Sequence, residues 1–221
     1  MSDIQLNISS DGYKKIDNNI FNLDNKILEE YENIYNDKKY SDNAYENTSI
    51  INDQKDLIKF SNLNKLNQNI LRLIKDNKLD NIEFDDIWFA KSVESIYEPK
   101  KIPYIPHIDK VRKIKAMVYL NDVTIEDGPL YMAKVNPNNY ENFRKELKPD
   151  YKKRQENEIK NLKIEDYSPL NGEFGTTIFF DTNVPHFAGK IHNKNSLRKI
   201  IRFNFRFKPQ NPIKNFFRNL F

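Results

Sequence analysis

Residues 198–207 read RKIIRFNFRF. The β-branched and aromatic content predicts a strand over the whole stretch. Side chains alternate across a strand, so Ile201, Phe203, Phe205 and Phe207 share one face. Arg198, Ile200, Arg202 and Asn204 share the other. The apolar face has to be covered by other elements, and the upstream helices are the natural cover. The opposite face carries guanidinium groups and suits the lining of a cavity. A strand greasy on one side and cationic on the other is unusual for a simple sandwich.

Working back from this strand, the segments are short, rich in β-branched and aromatic residues, and punctuated by Pro and Gly. Strands are expected over 86–93, 104–109, 114–120, 130–133, 176–180 and 184–189. Gly128, Gly172, Gly175 and Gly189 mark the turns between them. The charged stretch 138–163, broken by Pro149, reads as a helix-like insertion. Further upstream, apolar residues recur at helical spacing over about 23–36 and about 53–78, with a polar loop at 37–50. The expected fold is mainly β with flanking helices: a double-stranded β-helix, or cupin-like jelly-roll barrel, covered by N-terminal helices. It forms one domain over 1–221, with helical support from 1–80, the β core over 81–207 and an amphipathic tail over 208–221.

Composition narrows the function classes. The 221 residues are 38% hydrophobic and 31% charged, as in a soluble globular chain. The net charge of +4 is spread among acidic residues, so no nucleic-acid stripe is expected. There is no cysteine, which excludes disulfides, thiolate metal sites and a cysteine nucleophile. No apolar run approaches the ~20 residues that span a bilayer. The first residues lack an apolar signal core, and a cytoplasmic protein is expected. In the tail, Ile213, Phe216, Phe217, Leu220 and Phe221 alternate with basic residues. Docking on the protein's own surface is preferred to membrane contact for so short a segment. The oligomeric state is left open.

The chain has three histidines, and two fall where chemistry is expected. His107 and Asp109 flank Ile108 in an expected strand, so both project from one face about 7 Å apart. His186 lies in another strand. Two imidazoles and one carboxylate form a facial triad that suits Fe(II), with Mn, Co or Ni as substitutes, and leaves the opposite face open. Arg198 follows and can grip a carboxylate through two parallel hydrogen bonds. Arg202 shares its face and competes for that role, or binds an anionic substrate. Lys91 is a weaker candidate for a second carboxylate contact. Trp88 and Tyr104 are candidates for the substrate pocket, with core packing preferred for Trp88. Asp181 is a turn residue or a supporting partner of His186, and His192, in a polar loop, reads as a surface histidine.

These stretches resemble the phytanoyl-CoA dioxygenase (PhyH)-like family of Fe(II)/2-oxoglutarate-dependent oxygenases. The likeness is carried by PHID at 106–109, AMVYLNDVTIEDGPLYMA at 116–133 and NGEFGTTIFFDTNVPHFAGKIHNKNSLRKIIRFNF at 171–205. The resemblance implies His107, Asp109 and His186 as iron ligands and Arg198 as the anchor of 2-oxoglutarate, with Arg198 matching the family's spacing better than Arg202. It implies O₂ as oxidant, succinate and CO₂ as products, hydroxylation of a C–H bond in a small-molecule substrate, and a benefit from ascorbate in vitro. A non-catalytic jelly-roll binding module and a cupin-type metal enzyme are the alternatives. Cupins place more histidines at the metal than this chain supplies.

Overall fold

The computed structural model describes residues 4–42, 47–79, 81–93, 102–147, 157–192 and 195–208. The element order is α1 (Ile8–Asp11), β1 (Tyr13–Ile16), α2 (Asn25–Asn36), β2 (Thr48–Ile51), α3 (Gln54–Leu57), α4 (Ser61–Asp76), β3 (Ile82–Ser92), β4 (Lys113–Tyr119), β5 (Leu130–Ala133), α5 (Glu141–Glu146), β6 (Tyr167–Leu170), β7 (Thr177–Asp181), β8 (His186–Ala188) and β9 (Arg198–Phe207). A 3₁₀ turn, Pro137–Tyr140, leads into α5. Every strand pairing is antiparallel. The larger sheet runs β1-β7-β4-β9-β3-β2 and the smaller β6-β5-β8.

β9 spans the residues expected of it and sits inside the larger sheet between β4 and β3. Its Ile201, Phe203 and Phe205 are buried on the outer face with Ile114, Ala116, Val118, Ile87, Phe89 and Phe179. α2 and α4 cover that face with Ile27, Tyr31 and Ile34, and with Leu63, Leu66, Ile70, Leu73 and Ile74. Both sets follow helical spacing, so burial of one apolar stripe per helix, rather than propensity, stabilises them. On the inner face, Met117, Tyr119, Ile178, Phe180 and Ile200 meet Leu130, Met132 and Leu170 of the smaller sheet. The Tyr119 hydroxyl ties the sheets together. It donates to the Leu170 carbonyl (2.8 Å) and accepts from Leu130 N–H (3.2 Å).

Several expectations are corrected. The single helix expected near 53–78 is divided into α3 and α4. Glu30 of α2 causes the new start, because its carboxylate accepts from the N–H groups of Asn62 (3.0 Å) and Leu63 (2.8 Å). A carboxylate there satisfies the orphan donors and the helix dipole. The N-terminal part is not purely helical support, since β1 and β2 are the two edge strands of the larger sheet. Both are short, and β1 carries two lysines on an edge, where charge discourages further pairing. β6 was not expected either. Its Pro169 is tolerated because β6 is an edge strand. The strand expected over 104–109 is reduced to isolated bridges at His107. The insertion begins as the 3₁₀ turn and α5, and then returns as an extended bridge at Glu158. No helix among the described residues is long and apolar enough to cross a membrane. The amphipathic tail read from Ile213 to Phe221 lies outside the described residues.

Candidate metal centre

Three backbone contacts bring His107, Asp109 and His186 together. His107 N–H donates to the His186 carbonyl (3.0 Å), and His186 N–H returns the bond (2.9 Å). Asp109 N–H donates to the Thr182 carbonyl (2.9 Å). From the other side, Ile159 N–H donates to the Pro106 carbonyl (2.8 Å) and Ile108 N–H to the Asn157 carbonyl (3.2 Å). The segment is thus clamped on two sides. The expected alternation holds within it: Ile108 is fully buried with Tyr140 and Ile159, away from its two polar neighbours.

The donor atoms of the three residues all lie within 4.8 Å of one another. Asp109 Oδ1 is 3.9 Å from His107 Nε2 and 3.7 Å from His186 Nε2. Each imidazole is fixed by a 2.8 Å contact from Nδ1 to a backbone carbonyl, Ile105 for His107 and Val184 for His186. A carbonyl only accepts, so both Nδ1 atoms carry the proton, which leaves each Nε2 a free lone pair within 3.9 Å of Asp109 Oδ1. Burial pushes both imidazoles below their ordinary value, and for His186, with His107 alongside, down to about 3. They are neutral and ready to ligate. Burial alone would raise Asp109, but the Lys115 ammonium beside it outweighs this and holds the carboxyl well below the usual range. Two neutral nitrogens and one anionic oxygen on one side can hold a divalent first-row metal.

Lys115 was missed by the sequence reading. It is buried on the inner face of β4, and its Nζ lies 2.5 Å from Asp109 Oδ2. Burial pushes its ammonium down to about 8, even with Asp109 beside it. The available signal was the lysine at an inner-facing position of KIKAMVY, in register with Met117 and Tyr119.

Arg198 is buried at the start of β9, across from Ser92 of β3. Its Nη2 donates to Ser92 Oγ (3.2 Å), while its buried Nε has no hydrogen-bond partner among the described residues. Arg202 lies on the same inner face with its guanidinium 4.1 Å from the Trp88 ring centroid. Trp88 is therefore half-buried on the cavity side and is not packed in the helix-covered core. Tyr104 is half-buried and close enough to Arg198 to influence it. Lys91 does not join the site. Alternation turns it to the outer face, where its Nζ pairs with Glu32 (2.8 Å) and lies over the Tyr35 ring (4.1 Å). Asp181 is buried and gripped by Arg112, with Nε to Oδ2 at 2.9 Å and Nη2 to Oδ2 at 2.7 Å. It also accepts from Asn183 N–H (2.8 Å), which forms the turn leading to His186. His192 is exposed, as expected.

No family model matches the chain, that of the phytanoyl-CoA dioxygenases included, and no curated protein matches it in sequence. Solved structures do match. The chain has the fold of non-haem, α-ketoglutarate-dependent enzymes. The epimerase SnoN, in complex with Fe³⁺, α-ketoglutarate and nogalamycin RO, superposes with a TM-score of 0.60 at 14% identity, over 91% of this chain and 83% of SnoN. EvdO2 from Micromonospora carbonacea var. aurantiaca gives a TM-score of 0.60 at 12% identity, over 93% of this chain and 90% of EvdO2. The carbocyclase SnoK from nogalamycin biosynthesis gives 0.56 at 12% identity, over 96% of this chain and 87% of SnoK.

Proposed function

We propose that the chain is an Fe(II)- and 2-oxoglutarate-dependent dioxygenase acting on a small molecule. The observation that carries this reading is the convergence of ligand atoms of His107 and Asp109 with one of His186, far along the chain, all within 4.8 Å of one another. The donor set fits the group: nitrogen and oxygen without sulfur, confined to one side. Mn(II), Co(II) and Ni(II) suit the same donors. Iron is preferred because SnoN was crystallised with Fe³⁺ and α-ketoglutarate. EvdO2 has likewise been seen with 2-oxoglutarate. In this reading the facing sheets form the double-stranded β-helix of the jelly-roll type, and His107, Asp109 and His186 are the metal ligands.

Arg198 is assigned to the distal carboxylate of 2-oxoglutarate. Its enclosed guanidinium, with a buried Nε that has no partner among the described residues, fits an anionic group that brings acceptor oxygens. Arg202, stacked on Trp88, is the competing anchor. When bound, iron and 2-oxoglutarate supply O₂-dependent oxidation with release of succinate and CO₂. The chain's own residues do the rest. Ile105 and Val184 carbonyls hold the imidazole tautomers, Lys115 keeps Asp109 ionised, and Met117, Ile178 and Phe180 line an apolar wall that excludes water.

Hydroxylation of a C–H bond is the proposed outcome. The fold is shared with an epimerase and a carbocyclase, so product analysis has to accompany turnover. The test is anaerobic reconstitution with Fe(II) and ascorbate, followed by 2-oxoglutarate and air. Metal-dependent 2-oxoglutarate binding and succinate formation are expected. Protein that binds no 2-oxoglutarate in the presence of Fe(II) or Mn(II) refutes the proposal.

A further inference from the structure

Lysine is rarely buried unless it is paired, and Lys115 is paired in a particular way. Its side chain is only 7% exposed, and its Nζ sits 2.5 Å from Asp109 Oδ2. The other oxygen, Oδ1, faces His107 and His186. The Phe180 ring lies 5.9 Å from the ammonium, Asn204 stands opposite Lys115 on β9, and Arg202 is the neighbouring cation, so Asp109 is the carboxylate that pairs with Lys115. The neighbouring Lys113 does not duplicate it, since its Nζ is held by Asp85 (2.5 Å) and Asp86 (3.4 Å).

From this division of the carboxylate we infer that Lys115 is a positioning residue for the metal: it occupies Oδ2 so that Asp109 offers Oδ1 alone. The inference rests on the proposed function and deepens it. A bound metal would be held by His107, Asp109 and His186, and a second Asp109 oxygen on it would compete with the co-substrate for the side the protein leaves open. By holding Oδ2, Lys115 would leave that side free, and its ammonium offsets the single negative charge that Asp109 gives the donor set.

The test uses the full chain loaded with Mn(II) or Co(II) and 2-oxoglutarate. Lys115→Met is expected to change the Co(II) d–d absorption and to tighten Mn(II) binding by about tenfold or more, because Oδ2 is released to the metal and a positive charge beside the ion is removed. Lys115→Arg is expected to return both most of the way to the parental values. A folded Lys115→Met protein with a lower Tm but parental Co(II) spectrum and Mn(II) affinity overturns the inference and leaves an ordinary ion pair. Should Lys115→Met not fold, a crystal structure of the Mn(II)-loaded parent decides. Oδ1-only ligation with Nζ still on Oδ2 upholds the inference, and a bidentate Asp109 with Lys115 turned away overturns it. A parent protein that binds neither metal nor 2-oxoglutarate fails at the earlier step, and refutes the proposed function itself.

Discussion

His107 and His186 are joined at two levels. Their backbones exchange a reciprocal pair of hydrogen bonds, 3.0 and 2.9 Å long, and their imidazole centroids lie 4.5 Å apart. One contact between distant parts of the chain therefore fixes both rings, and each ring is locked again by its own carbonyl. Such a site is preformed, and metal binding adds its free energy to folding without first ordering the ligands.

In the proposed metal site, replacing either ring removes a direct donor. His186→Ala should weaken Mn(II) binding by more than the roughly 10–100-fold typical of outer partners, and should reduce succinate formation to background. The parent protein should gain about 2.7 kcal/mol of stability when metal is present at one hundred times its Kd. Thermal melts with and without Mn(II) check this: a rise in Tm for the parent, and none for His186→Ala or His107→Ala. Equal rises in all three would remove these residues from the metal site.

Arg198 is a test of co-substrate binding separate from metal binding. Arg198→Ala should leave Mn(II) affinity unchanged and weaken 2-oxoglutarate by about 1.5–3 kcal/mol, or roughly tenfold to a hundredfold. Arg198→Lys should recover only part, because an ammonium lacks the planar fork. Titration calorimetry on the metal-loaded protein separates the two ligands. If Arg202→Ala gives the larger loss of 2-oxoglutarate and Arg198→Ala gives none, the anchor is Arg202.

Much of this was legible in the sequence because alternation is a local rule. The two faces of β9 followed from RKIIRFNFRF alone, and the same rule placed His107 and Asp109 on one side of Ile108. What was missed depends on partners distant in the chain. β1 and β2 are short edge strands defined by β7 and β3 rather than by their own composition. Glu30 caps a helix it does not belong to. Lys91 was kept as a weaker candidate for a carboxylate contact because its register within β3 was not applied to it, although Phe89 two residues earlier already marked the outer face. Lys115 stood at an inner position of an apolar strand, and its role became visible only once Asp109 was opposite it.

The turn before His186 depends on one ion pair. Asp181 is buried, and Arg112 supplies its countercharge while also reaching Glu141 of α5 (3.4 Å). Removing one partner leaves an uncompensated buried charge. Arg112→Ala should therefore lower stability by about 3 kcal/mol, which for a chain of this size is roughly 6–12 °C in Tm. Asp181→Asn, which removes the charge and keeps the shape, should be milder in the Arg112→Ala background than in the parent. A double-mutant cycle by thermal melting measures the coupling, and additivity of the two substitutions would contradict it.

The alkaline limit of stability follows from buried phenols. Tyr31 and Tyr119 are fully enclosed, and their hydroxyls donate to the Ala90 and Leu170 carbonyls (2.9 and 2.8 Å). Burial raises both above the ordinary tyrosine value of 10, with Tyr35 and Glu32 adding to the effect at Tyr31. The folded state therefore keeps these protons where the unfolded chain has lost them. A group whose folded value is raised contributes stability that is intact below the unfolded value and declines as pH rises through it. Stability should accordingly be flat with respect to these groups below pH 10 and fall above it. Tyrosinate absorbance from the buried pair should appear together with the loss of near-ultraviolet circular dichroism, because ionisation requires unfolding. Tyr31→Phe and Tyr119→Phe should each reduce the slope of the alkaline decline. A titration in which all tyrosines ionise near pH 10 while the circular dichroism stays native would show that these hydroxyls are not enclosed as described.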